Sequence, residues 1–89
     1  MAGPQTVTLR YFAWVRERIG RSEERIELPA GIVTVADLMT WLSGRGPEYA
    51  HAFERADIIR AAVDQVHVAH NTIVAGAREI AFFPPVTGG

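Results

Sequence analysis

The fold turns on Thr34-Val35-Ala36-Asp37-Leu38-Met39-Thr40-Trp41-Leu42. Val35, Leu38, Met39 and Leu42 recur at i, i+3, i+4 and i+7, which makes one apolar stripe along a helix. Thr34 ahead of the stripe is a natural N-cap. Asp37, three residues on, adds a capping-box carboxylate at the positive end of the helix dipole. Ser43-Gly44 stops the helix, and Gly46-Pro47 prevents its continuation.

Working outward, the flanks read as strands. Thr6 to Ala13 alternates, with Val7, Leu9 and Tyr11 on one face. Trp14 to Ile19 is a short helical turn closed by Gly20, which suits the left-handed position past a helix end. Glu23 to Leu28 alternates again, with Ile26 and Leu28 inward and Glu27 outward, so the first two strands form an antiparallel hairpin with an embellished turn. Downstream, Pro47 to Ala56 is either a second short helix or an irregular insertion. Ile59 to Asp64 and Val66 to Ala69 are short strands, followed by turns at His70-Asn71-Thr72 and Ala75-Gly76. Arg78 to Phe83 is the last strand, with Ile80 and Phe82 on one face and Ala81 and Phe83 on the other. One amphipathic helix against four or five strands predicts an α+β domain whose sheet is covered on one face. The arrangement resembles the ubiquitin-like β-grasp, a mixed sheet in which the first and last strands lie parallel in the middle.

The 89 residues make a single domain, with residues 1–5 expected as a disordered N-terminus. Hydrophobic residues form 48% of the chain and charged residues 21%, the balance of a globular domain rather than a disordered one. Nine basic against ten acidic residues give net charge −1, which argues against a nucleic-acid footprint. Cysteine is absent, which excludes disulfides, thiolate metal sites and cysteine nucleophiles. No basic, apolar leader opens the chain and no apolar run reaches the ~18 residues of a membrane span, so the expectation is a cytoplasmic protein off the membrane. All nine basic residues are Arg. That is consistent with a chain that avoids becoming an acceptor in amide-forming chemistry, and equally with a GC-rich coding bias, which the thirteen Ala also fit.

The C-terminus carries the functional signal. Pro84-Pro85 fixes φ at two consecutive positions and ends ladder donation, so the chain leaves the sheet as a stiff spoke. Val86 and Thr87 tolerate an extended form, and Gly88-Gly89 has no side chains to clash in a narrow partner tunnel. Residues 84–89 therefore read as an extended tail that delivers the Gly89 carboxylate to a partner. Phe12 and Phe83 fall on the strand phase opposite to the core positions and would form an apolar contact patch for that partner, with Pro84, Pro85 and Val86 continuing it.

Essentially residues 6 to 89 resemble the small, ubiquitin-like sulfur-carrier subunits of molybdopterin synthase. The matching pieces are Leu9-Arg10-Tyr11-Phe12-Ala13, Val15-Arg16-Glu17 with Ile19-Gly20, Thr34-Val35-Ala36-Asp37-Leu38, Ala61-Ala62-Val63 before Gln65, and above all Glu79-Ile80-Ala81-Phe82-Phe83-Pro84-Pro85-Val86-Thr87-Gly88-Gly89. The resemblance implies a carrier that is not itself a catalyst. Gly89 would be adenylated by an ATP-dependent, E1-like adenylyltransferase and converted to a thiocarboxylate by a sulfur donor protein. The loaded tail, through Thr87 and Gly88, would then enter the large subunit of a heterotetrameric synthase and give sulfur to cyclic pyranopterin monophosphate. No cofactor or metal is expected on the chain itself. Sulfur carriage for thiamine or another thio-product and ubiquitin-like protein modification are the alternatives. Asp64 stands where the family usually has Asn, and Ala75-Gly76-Ala77-Arg78-Glu79 replaces an Asp-Gly-Asp-Glu turn. Arg10 and Arg60 occupy positions that are often apolar and would tune partner choice by charge if they lie on the exposed sheet face.

Other constellations are weaker. His67 and His70 form an H-x-x-H pair, but on a strand i and i+3 point to opposite faces. Asp57 with Asp64, or Glu23-Glu24, read as solvated acids rather than a catalytic pair. No phosphate loop, dinucleotide fingerprint or nucleophile elbow occurs.

Overall fold

A computed structural model describes residues 4–85. The elements are β1 (Thr6–Tyr11), α1 (Ala13–Ile19), β2 (Glu23–Glu27), α2 (Val35–Ser43), α3 (Pro47–Ala52), a 3₁₀ turn (Ala56–Ile58), β3 (Arg60–Val63), β4 (Val66–Val68) and β5 (Glu79–Phe83). The five strands form one sheet in the order β2-β1-β5-β3-β4. Only β1 and β5 run parallel, with Leu9 opposite Ile80 and Tyr11 opposite Phe82, and they hold the middle of the sheet. This is the ubiquitin-like β-grasp that the strand–helix–strand order implied.

The α2 N-terminus forms as its sequence dictates. The Asp37 backbone N–H donates to Thr34 Oγ1 at 3.1 Å, and Asp37 Oδ2 accepts from the Thr34 and Val33 N–H groups, each at 3.0 Å. Those two backbone donors hold the Asp37 carboxyl below the usual carboxylate range. The stripe Val35, Leu38, Met39 and Leu42 is buried in one core with Val7, Leu9 and Tyr11 of β1, Ile80 and Phe82 of β5 and Ala61 of β3. Gly20 closes α1 at φ 91°, the left-handed region expected of it, and donates its N–H to the Arg16 carbonyl at 2.8 Å.

Three local expectations change. Pro47 to Ala56, expected as a short helix or an irregular insertion, is helical only to Ala52, because Phe53 turns into the core and meets the Phe82 ring edge-to-face at 5.3 Å; the chain then continues as the 3₁₀ turn. Gln5, counted with a disordered N-terminus, is tied to the body. Its backbone carbonyl accepts from Leu28 at 2.8 Å, and its amide donates to the Val74 and Ala77 carbonyls at 3.0 and 3.1 Å. Glu24 is not a solvated acid, as the next subsection describes.

The β3–β4 hairpin turns on Asp64 (φ 49°) and Gln65 (φ 71°), both left-handed, which is the requirement of the two-residue turn that matches strand twist. Asp64 tolerates this conformation. Its Oδ1 also accepts from the Arg78 and Glu79 N–H groups at 2.9 and 3.0 Å, anchoring the hairpin to the start of β5. Gln65 has no such compensation. Gln65→Gly is therefore expected to raise stability by about 1 kcal/mol, measured as a higher denaturation midpoint at unchanged m-value.

Candidate functional site

Strand alternation divides the sheet. The face turned away from α2 carries Thr8, Arg10 and then Phe12 from β1, Ala81 and Phe83 from β5, Arg60 and Ala62 from β3, and His67 from β4. Phe12 extends the β1 alternation because its backbone remains extended (φ −128°, ψ 152°) as the α1 N-cap. Its N–H donates to the Phe82 carbonyl at 3.1 Å, continuing the ladder to the point where β5 ends. Phe12 stays 40% exposed, a large aromatic surface open to solvent among the described residues. Phe83 is half-buried, with the His67 ring 5.1 Å away. Both phenylalanines lie on the open face, as their strand phase predicts, whereas Tyr11 and Phe82 stack in the core at 6.3 Å.

Arg10 and Arg60 flank this aromatic strip. The Arg10 guanidinium lies 5.6 Å from the Phe12 ring centroid and forms loose ion pairs with Glu23 (3.9 Å) and Glu79 (3.7 Å). Arg60 is the cross-strand partner of Phe83, is exposed, and forms no ion pair among the described residues. Pro84 and Pro85 leave the strip directly after Phe83, both half-buried. Of the sequence-predicted residues, the fold thus brings Arg10, Phe12, Arg60 and Phe83 to one end of one sheet face, with Pro84 and Pro85 following directly after Phe83. Val86, Thr87, Gly88 and Gly89 lie outside the described residues. His67 was missed as part of this strip. Its signal was the alternation in Val66-His67-Val68, which sets it opposite to the two valines. His70 instead lies with Nε2 2.7 Å from the Ile59 carbonyl, so the two histidines do not converge. Among the described residues, no group of three or more His, Asp or Glu is placed to hold a metal ion, and no helix is long and apolar enough to cross a membrane.

Beneath the strip sits a polar hub that sequence reading assigned to solvent. Glu24 occupies the inward phase of β2, opposite Leu9, and its side chain is only 7% exposed. One carboxylate oxygen accepts from Tyr11 Oη (2.8 Å) and Tyr49 Oη (2.7 Å); the other accepts from Arg45 (3.0 Å) and Arg21 (3.3 Å). Arg45 also lies over the Trp41 and Tyr49 rings, at 5.1 and 4.7 Å. Burial pushes the Glu24 carboxyl up, but the bonds from Tyr49, Tyr11 and Arg45 outweigh it and hold it below the ordinary value. Burial and the neighbouring carboxylate push both tyrosines up, Tyr11 most strongly. A lowered carboxyl stabilises the fold above its unfolded pKa and loses that contribution as pH falls through the folded value. Raised phenols do the reverse, their contribution being complete below their unfolded pKa and lost as pH rises. Stability is therefore expected to be flat between about pH 5 and 9 and to fall on both sides. Thermal melts across pH check this, and Glu24→Gln should flatten the acid limb.

A family model for the ThiS family matches residues 9–89, the core strands and the tail together. The chain belongs to the ThiS family. Within it, this ThiS-family chain is 35% identical over 83 residues to the molybdopterin synthase sulfur carrier subunit of Escherichia coli (strain K12), covering 93% of this chain and 99% of that protein. It is 33% identical over 91 residues to the protein of the same name from Mycosarcoma maydis, covering 98% and 97%. Among solved structures, the small archaeal modifier protein 1 of Haloferax volcanii superposes with a TM-score of 0.68 at 26% identity, over 91% of this chain and 98% of that one. The putative molybdopterin converting factor, subunit 1, from Pyrococcus furiosus gives 0.60 at 26% identity, over 91% and 98%.

Proposed function

We propose that this chain is the sulfur-carrier subunit of a molybdopterin synthase and that its working group is the Gly89 carboxylate. The carrying observation is the open strip of Phe12 and Phe83, flanked by Arg10 and Arg60, at the root of a Pro84-Pro85 stalk that leads to a side-chain-free end. The identity to named sulfur carrier subunits over nearly the whole chain supports it. A carboxylate is a poor electrophile. Its oxygen attacks the α-phosphorus of ATP, pyrophosphate leaves, and the resulting acyl-adenylate has AMP as a good leaving group. Sulfur delivered at the sulfide level by a donor protein then attacks the acyl carbon, the bond from that carbon to the AMP oxygen breaks and AMP leaves with the electron pair, and the resulting thiocarboxylate holds sulfur in an anionic form able to attack the pyranopterin substrate. The ATP site and the acid–base groups reside on an E1-like activating enzyme and on the large subunit of a heterotetramer, in the cytoplasm. This chain supplies position, reach and an unencumbered end.

The modifier reading has one observation in its favour, the superposition on small archaeal modifier protein 1. Carriage for another thio-product draws on the family alone. Mixing the chain with a molybdopterin synthase large subunit separates these readings: a stable complex that converts cyclic pyranopterin monophosphate supports the proposal, whereas attachment of the chain to other proteins supports the modifier. Phe83→Asp is expected to weaken that complex about 30-fold, which is about 2 kcal/mol for a central aromatic, with the folded circular-dichroism spectrum unchanged. Unaltered affinity would remove the strip from the interface.

A further inference from the structure

The two arginines that flank the aromatic strip are not equivalent. Arg10 is occupied within the chain: its guanidinium reaches Glu23 at 3.9 Å and Glu79 at 3.7 Å, and it lies 5.6 Å from the Phe12 ring centroid. Arg60 is exposed and, among the described residues, has neither an ion pair nor an aromatic ring beneath it. Arg60 is also the cross-strand partner of Phe83, so their Cα atoms are roughly 5 Å apart and their side chains leave the same face. The next row of that face is low. Ala62 pairs with Ala81, both buried, with Arg10 beside Ala81 and His67 beside Ala62. A partner surface that covers Phe83 can therefore descend toward the two alanine methyls, and in doing so it strips water from the Arg60 guanidinium.

Resting on the reading of this strip as a carrier's docking face, we propose that Arg60 decides which large subunit the chain accepts, by requiring a carboxylate opposite it. A guanidinium taken out of water without a counter-charge is costly, and the described residues offer Arg60 none. A carboxylate supplies what the site lacks. It balances the charge and accepts two parallel N–H bonds from the planar fork. Arg10 makes no such demand, since Glu23 and Glu79 already stand beside it. The selection works in both directions. A large subunit with an aliphatic side chain at that point would bury the guanidinium unpaired, and a carrier with an aliphatic side chain at position 60 would leave the large subunit's carboxylate unpaired.

The test measures the affinity of the full chain for the large subunit of its own organism, as wild type, Arg60→Leu, Arg60→Lys and Arg78→Leu, with a thermal melt of each to confirm folding. Arg78 is exposed and lies just before β5, at the opposite end of that strand from Phe83, so its replacement removes the same charge away from the strip. Arg60→Leu is expected to weaken the complex at least about tenfold, and Arg78→Leu to stay within about twofold. Arg60→Lys should lose less than Arg60→Leu, because the charge remains and only the fork is gone. Acidic surface residues of the large subunit are then replaced one at a time by Asn or Gln. One of them should weaken the wild-type complex by a similar factor and the Arg60→Leu complex no further, as a coupled pair does. Arg60→Leu binding as tightly as wild type, or Arg78→Leu losing as much as Arg60→Leu, overturns the inference; so does a scan in which no acidic residue couples to position 60. Wild type that forms no complex contradicts the carrier reading itself, and the inference falls with it.

Discussion

Removal of Gly89 alone is expected to disable loading while the fold stands. The truncated chain still ends in a carboxylate, on Gly88, so the chemistry is nominally intact, but the reacting carbon is one residue short, about 3.5 Å from where a partner site needs it. Misplacement by about 1 Å can cost 10²-fold in rate, so adenylation is expected to fall by at least ~10²-fold. The core is unaffected, because every buried side chain in the described residues lies between Val7 and Phe82. The melting temperature should match the full chain, with any change inside ~0.5 kcal/mol. ATP–pyrophosphate exchange with an activating enzyme and a thermal melt on the same sample separate the two effects. Replacing Gly89 by Ala probes the other half of the argument: length is kept and a Cβ is added, so a large loss there reports a partner tunnel that accepts bare backbone only.

Glu24→Ala carries the largest expected cost to stability. The carboxylate joins β1 through Tyr11, β2 through its own backbone, and the α2–α3 region through Arg45 and Tyr49. Truncation leaves two phenolic hydroxyls and two guanidinium groups without their acceptor, the phenols and Arg45 in a site that water reaches poorly. Removing one member of such a buried set costs about 3 kcal/mol. For a domain of this size that lowers the melting temperature by roughly 15 °C. Glu24→Gln keeps the shape and an acceptor oxygen, so it should cost less than the alanine variant. Tyr49→Phe removes a single donor and should cost about 1 kcal/mol, since the carboxylate retains its other three. Equal and small effects from all three would mean that the hub is solvated and energetically idle.

The two cases show what was legible in the chain. Helix α2 was plain because every local signal agreed: the Thr34 cap, the Asp37 carboxylate, the apolar stripe and the glycine stop. The phase of Phe12 and Phe83 was equally plain, since strand alternation fixes the face once the core residues are known. Glu24 was not. It alternates in phase with Ile26, which marks it as inward, but three of its four donors, Tyr11, Arg45 and Tyr49, lie 13 to 25 residues away, and only the folded chain brings them to hydrogen-bond distance. A charged residue reads as solvated unless its partners are visible. The end of α3 was hidden for the same reason, because Phe53 leaves the helix to meet Phe82, 29 positions along the chain. Ala13 at φ 52° and Gln65 at φ 71° had no sequence signal at all, as neither residue type favours that conformation.

The most direct test of the account is the mass of the C-terminal peptide after the chain is incubated with ATP, an E1-like activating enzyme and a sulfur donor. The account predicts that the peptide ending in Gly89 gains the mass of one sulfur in exchange for one oxygen, and loses it again when the large subunit and its pterin substrate are added. A terminal peptide that keeps both its oxygens throughout, while substrate is still sulfurated, would contradict it.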